Sequence, residues 1–302
     1  MGLIGADHSA AHRSPAWEKW WFLAIVAACM TVGCEQPIAA VRTYKPARAN
    51  GLAAAENQSI LVKAINGRLG AVGRARPLND GNIAVDVYGP LKPADLEIIK
   101  RLVGTQGELE FRIMAAPQAA AHQAIIELAE RLPADRNLVR PDDRPVARWV
   151  EIDEREFGDV DQARSRGLVV RMAGQTPQAL AMVDDGLDVT GQYLRSATAD
   201  IDETGRPQIS FTFNSQGAFK FGQLTGNHVP TPAGDRFMLG ILLDHRLLTA
   251  PTIESKITDR GRISGGAMDD AEVELFLTIL NEGILPCRIR LVEEQLAPTS
   301  PQ

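Results

Sequence analysis

The chain has 302 residues, 45% of them hydrophobic and 23% charged, with 26 Gly, 18 Pro and 3 Cys; collagen-like, disulfide-dense and wholly disordered classes are excluded, and there is chain enough for one large domain or two small ones. Its 32 Lys and Arg against 38 Asp and Glu give a net charge of −6, carried by the residues after position 33, and no basic run exceeds two, which argues against nucleic acid as a partner. Only residues 20–33 are apolar enough to meet a bilayer, so a polytopic membrane protein is excluded as well.

Residues 20–30, WWFLAIVAACM, make an apolar run of signal-peptide length. As a helix rising ~1.5 Å per residue it spans roughly 20 Å, short of the ~30 Å hydrocarbon layer. Arg13 and Lys19 precede it, and Trp17, Trp20 and Trp21 suit the headgroup boundary. Next comes Thr31-Val32-Gly33-Cys34. A small residue directly before a cysteine, after an apolar core, resembles a bacterial lipoprotein processing site at which the Cys34 thiol is acylated. Thr31 departs from it, standing where a large aliphatic residue is usual. Two other readings stay open: cleavage after Ala40, behind Ile38-Ala39-Ala40, and an uncleaved short anchor. All three put the body outside the cytoplasm. Residues 1–33 are thus the leader, and residues 34–56, rich in Ala, Pro and Arg, read as a tether.

From Asn57, a candidate N-cap, Ile60, Leu61, Ala64, Ile65 and Leu69 recur at helical spacing and predict a helix over 57–72. Residues 83–88 alternate as a strand. Pro93 opens a helix with Leu96, Ile99, Leu102 and Val103 on its apolar face, and 108–115 alternate again with Leu109, Phe111 and Ile113 on one side. An Ala-rich helix is predicted over 117–132, a charged loop over 133–145, and strands at 147–153 and 167–173. Residues 192–213 read as a hairpin, 194–201 against 208–213, turning at Asp202-Glu203-Thr204-Gly205. Asn214 caps a helix that runs to Thr225. An apolar strand at 237–243 turns at Asp244-His245 into a short strand at 247–248. Asp269 and Asp270 start the last helix, with Val273, Phe276, Leu277 and Leu280 on one face, and Gly283 closes it before a final strand at 286–292. Strands and helices mixed without steady alternation place the body in the α+β class.

Chemistry-bearing residues are sparse. Cys29 and Cys34 belong to the leader region, leaving Cys287 alone in the body, read as a buried or semi-buried free thiol with dimerisation through it as the alternative; no internal disulfide and no C-x-x-C site can form. His8, His12, His122, His228 and His245 are dispersed, and none has metal-ligand spacing to a carboxylate cluster. Phe211, Phe213, Phe219 and Phe221 concentrate aromatic surface. They read either as an apolar groove for unfolded polypeptide, by strand addition to an open edge, or as a local core, since Phe211 and Phe213 share a strand face. Asp184-Asp185 and Asp269-Asp270 suit acid–base or cation chemistry, yet a turn and a helix dipole account for them. Ser264-Gly265-Gly266 lacks the Lys and context of a phosphate loop, and Ser210, Ser215 and Ser255 lack a G-x-S-x-G elbow. No catalytic residue, no metal and no cofactor is assigned, and an enzyme is not expected.

Two segments carry a recognisable pattern. One is residues 64–113, AINGRLGAVGRARPLNDGNIAVDVYGPLKPADLEIIKRLVGTQGELEFRI; the other is 188–293, with DVTGQYL, ISFTFNSQGAFKFGQLT, MLGILLDHRLLTAPTI, RISGG and LTILNEGILPCRIRLVEE in that order. Together they resemble the first periplasmic domain of SecD, an accessory subunit of the Sec protein translocase. The resemblance implies a ferredoxin-like base with an inserted α+β head: base at 57–116 plus 268–293, head at 117–267, tail at 294–302. The last helix and strand would complete a sheet begun by 83–88 and 108–114. SecD has six membrane spans, whose charged residues are tied to proton-driven pulling; no span follows residue 33 here, so no proton-coupling residue carries over. The Asp-x-x-Gly-Gly-type strand expected near the start of the family domain is missing, with 37–45 as its candidate replacement. His245 stands at a turn where the family often has Gly. What the resemblance implies is a non-catalytic, membrane-anchored module in the periplasm or cell envelope, assisting protein export or binding emerging polypeptide. Its partners would be Sec translocase components and unfolded exported polypeptide. The alternative is an envelope scaffold lipoprotein that retains the SecD fold without a role in translocation.

Overall fold

The computed structural model describes residues 37–47 and 54–296 apart from 185, 233, 266 and 267; the leader, Cys34, Asp185 and Gly266 lie outside the described residues. In chain order the elements are β1 (Ile38–Pro46), α1 (Ala54–Leu69), β2 (Gly73–Pro77), β3 (Ile83–Tyr88), α2 (Pro93–Gly104), β4 (Leu109–Ile113), α3 (Ala120–Glu130), β5 (Leu138–Val139), β6 (Ala147–Ile152), α4 (Glu154–Phe157) and α5 (Val160–Ser165). There follow β7 (Val170–Ala173), β8 (Thr176–Met182), β9 (Val189–Thr190), β10 (Leu194–Ile201), β11 (Pro207–Phe213), α6 (Ser215–Gly226), β12 (Leu239–Leu243), β13 (Arg246–Thr249), β14 (Arg260–Ile263), α7 (Asp270–Glu282) and β15 (Ile289–Leu296). Among the described residues no helix is long and apolar enough to cross a membrane.

The base is a four-stranded sheet in the order β15-β1-β3-β2 with every neighbour antiparallel. This corrects the tether: residues 38–46, inside the 34–56 segment read as linker, form an inner strand, and the candidate replacement at 37–45 is that strand. Alternation makes it one, since Ala40, Arg42 and Tyr44 are buried and Lys45 is exposed. Arg42 hid the pattern, because a charge at an inward position reads as solvent-facing. Here it is 1% exposed, donating to the Glu294 carboxylate at 2.5 Å and to the Leu96 carbonyl at 2.7 Å. A cut after Ala40 would fall inside β1.

Helices α1 and α2 pack with this sheet around Leu61, Ile65, Val85, Val87, Ile99, Val103 and Ile289. Helix α1 begins at Ala54, so Asn57 is not its cap; it is buried with its amide 3.4 Å from the Cys287 Sγ. Pro93 does open α2, and the Asp95 carboxylate accepts the Lys92 N–H at 3.0 Å.

A second correction concerns β4, which does not join β3. It sits between β12 and β9 in an eight-stranded sheet ordered β7-β8-β6-β13-β12-β4-β9, with β5 on β6. The chain leaves the base at Gly107, whose φ of +94° favours glycine; a Cβ there would also lie 2.9 Å from Arg68 Nη2 and from Ile279. Asp244, at the β12–β13 turn, then accepts the N–H groups of Gln106, Gly107 and Glu108 at 2.6–2.9 Å and fixes the new course.

The head also contains a three-stranded sheet, β10-β11-β14. Its inner face, α6, α7 and one face of the eight-stranded sheet enclose the largest core, from Phe111 and Ile241 to Phe211, Phe221 and Phe276. Around β6 the two faces of the sheet carry different helices: α3 packs near Trp149 on one, and α4 and α5 near Val150 and Leu168 on the other. Helix α7 is shared: Val273 and Phe276 enter the head core, while Leu275 and Ile279 pack on Leu102 of α2.

Candidate functional site

The four phenylalanines separate. Strand β11 turns Ile209, Phe211 and Phe213 inward, and α6 adds Phe221 from above, so three of the four rings are buried against Phe111 with centroids 5.2–5.4 Å from it. The groove they were to line is therefore filled by the rings themselves, and the core reading describes them. Phe219 alone faces solvent, at 67% exposure, because two residues along a helix is more than half a turn away from Phe221. Gly217 lets α6 approach this closely: a Cβ there would lie 2.6 Å from the Tyr193 Cβ and 2.9 Å from the Phe213 ring. The Asn214 side chain accepts the Gly217 N–H at 2.9 Å, as expected for its cap.

On the other side of β4 lies a charged cluster that the sequence did not announce. Glu110 is 2% exposed and Arg112 7%. One Glu110 oxygen accepts from Arg112 Nη2 at 2.8 Å and Nε at 3.0 Å; the other lies 2.9 Å from His245 Nδ1 and accepts from Arg148 at 3.3 Å. Arg112 reaches on to Asp188 at 2.9 Å. Burial alone would raise the Glu110 pKa, but the His245 hydrogen bond and the Arg112 and Arg148 guanidinium groups outweigh it and hold the carboxyl down at about 2. His245 and Asp244 carry φ of 67° and 51°, so the turn keeps the left-handed backbone without glycine, and the imidazole is aimed at Glu110. The carboxylates of Glu108 and Glu110 and the His245 ring bring one donor atom each within 4.8 Å. With two guanidinium groups already on Glu110, this is an ion network, and a metal would have to displace one of them. The signal lay in LEFRI, where charges alternate with apolar residues.

A third set of polar contacts joins head to base. Glu272 of α7, 6% exposed, takes both Arg101 nitrogens at 2.6 and 2.8 Å and Arg155 at 3.1 Å. Arg155 and Arg246 also flank Asp153 at 2.9 and 3.3 Å. Arg68 donates to the carbonyls of Leu102, Thr105, Gln106 and Gly283, tying both chain crossings to one guanidinium.

The remaining candidates take structural places. Asp269 caps α7 through the Glu272 N–H at 2.8 Å, and Asp184 pairs with Arg144. At Ser264-Gly265 the Glu156 carboxylate occupies the space a side chain would need: a Cβ on Gly265 would lie 2.6 Å from its oxygen. Ser210 donates to Asp200 at 2.7 Å.

Residues 168–287 match the family model of the SecDF P1 head subdomain. SecD of Elusimicrobium minutum is 30% identical over 217 residues, 70% of this chain and 40% of that protein. The chain carries a SecD-type P1 domain. SecD of Aquifex aeolicus is 27% identical over 243 residues, 79% of this chain, so the P1 domain and its flanks span only 39–40% of the length of these two relatives. A crystal structure of SecDF in a super-membrane-facing form shares the fold, with a TM-score of 0.52 at 23% identity over 92% of this chain and 34% of that one. Within the P1 domain the head match runs through α7 to Cys287. Helix α7, grouped with the base by sequence, thus falls inside the matched head, and its apolar residues serve both parts.

Proposed function

We propose that this P1 domain is a non-catalytic accessory module of protein export, anchored to the membrane through its N-terminal segment and facing the periplasm or cell envelope. The observation that carries this reading is the head match at 168–287. The β-α-β-β-α-β order and antiparallel sheet of the base support its assignment as ferredoxin-like. The module works by contact: it meets Sec translocase components and unfolded exported polypeptide on the head. With Phe211, Phe213 and Phe221 enclosed, the outward Phe219 on α6 and the open edge of β10, where Ile201 is 67% exposed, are the head surfaces suited to an extended apolar chain. Cys34 is the lipid attachment point of the anchor.

The test is in-cell photo-cross-linking from position 219. The expected result is adducts with translocating chains or Sec components; a correctly exported protein that gives no such adduct overturns the reading. Deletion distinguishes the alternative scaffold lipoprotein, which predicts an envelope-integrity defect with normal secretion. Mass spectrometry of the mature N-terminus tests acylation at Cys34.

A further inference from the structure

The base sheet ends in two very different edges. Strand β2 has five residues, carries Arg74 and Arg76 outward, and finishes at Pro77, which has no N–H to donate. That edge is blocked. Strand β15 has eight residues and no proline, with β1 on one side and no strand on the other among the described residues. Val292 and Leu296 are 46% and 61% exposed on it. A strand of this length with free backbone groups and exposed apolar side chains is a template for another strand.

The charges along it choose the occupant. Arg288 and Arg290 stand at its start, and Glu293 and Glu294 towards its end. An antiparallel second copy of the same strand sets each start against the other's end, cation against carboxylate in both halves. A parallel copy sets like against like. Within one chain this pattern is unsatisfied. Arg290 faces Lys45 across β1, like charge to like, and makes no ion pair among the described residues. Among the described residues Glu293 accepts only from the Gln295 amide, at 2.8 Å, whereas Glu294 is held by Arg42. The pairing with β1 shifts register at Thr43/Tyr44, which leaves Val292 as the extra residue near the middle of the strand.

We propose that β15 is a homotypic interface: two copies of this chain join by antiparallel pairing of their β15 edges, merging two four-stranded base sheets into one of eight strands. A single strand pair buries less than a permanent dimer needs, so the association is reversible and concentration-dependent.

The test is sedimentation equilibrium of the full chain in detergent micelles over a wide concentration range. The expected result is a monomer–dimer equilibrium that either charge reversal, Arg290→Glu or Glu293→Lys, weakens by about tenfold or more. The double reversal, which restores complementarity between copies, returns the dissociation constant to within about threefold of the original. Circular dichroism checks that the variants remain folded, since both side chains are exposed. A monomer at every concentration overturns the proposal. So does self-association indifferent to the single reversals, the behaviour of contacts made by the apolar run at 20–30, or a double reversal that restores nothing.

Discussion

On one face of β4, Phe111 meets the rings of Phe211, Phe213 and Phe221 with centroids 5.2–5.4 Å away; on the other, Glu110 meets Arg112, Arg148 and His245 at 2.8–3.3 Å. Both faces are buried, and both bind the same strand to its surroundings. The first does so by non-directional packing, which rewards volume and has no pH dependence. The second does so by charge and direction, and each member is costly to remove alone because its partners stay behind uncompensated. One five-residue strand therefore couples two parts of the head by unlike physics.

The largest expected effect comes from emptying the apolar face. Phe111→Ala should lower unfolding free energy by about 3–5 kcal/mol, read from a urea melt, with little change in its pH dependence. A loss below about 1 kcal/mol would mean that the ring cluster is not the packed centre described. The ionic face comes next. Glu110→Gln should cost about 3 kcal/mol at neutral pH, the equivalent of a carboxyl pKa held at about 2 against its ordinary 4.5. The sign follows from the lowered folded pKa: this contribution is complete above pH 4.5 and fades as pH falls towards 2. The wild-type acid-side slope of stability should therefore flatten in the variant, and a slope left unchanged would break the contrast between the faces. The smallest effect is expected at the exposed ring. Phe219→Ala should shift stability by no more than about 0.5 kcal/mol, so that any loss of export cross-links at this site reads as lost contact and not as unfolding.

How far the sequence speaks differs along the same lines. Turn chemistry and capping are local, so the 194–213 hairpin, the Asn214 cap and the Asp269 start of α7 are visible in a few adjacent residues. Alternation in 109–113 tells which side chains share a face, and it places Phe111 inward; it carries no information about which strand lies alongside, so β4 is drawn into the base when it belongs to the head. Strand β1 is hidden for a different reason. Arg42 looks solvent-facing until Glu294, 252 residues away, is known to neutralise it. Pro177 similarly disguises β8, since proline within an apolar run argues against an inner strand. The Glu110 cluster draws its members from two strands, β4 and β6, from the β12–β13 turn and from Asp188 just before β9. Its only local trace is a pair of charges alternating with Leu109, Phe111 and Ile113.

The position of β15 in the chain also sets a clock. Every other base strand is made before the head begins, yet β15 follows β1 by about 240 residues. At about 5–20 residues per second, synthesis needs on the order of 10–50 s to supply it. Hairpins close in microseconds, so the first three strands have ample time to meet while one flank of β1 stays bare. Throughout that interval Arg42 has no Glu294 to face, and the base waits as an unfinished sheet for the last strand to arrive.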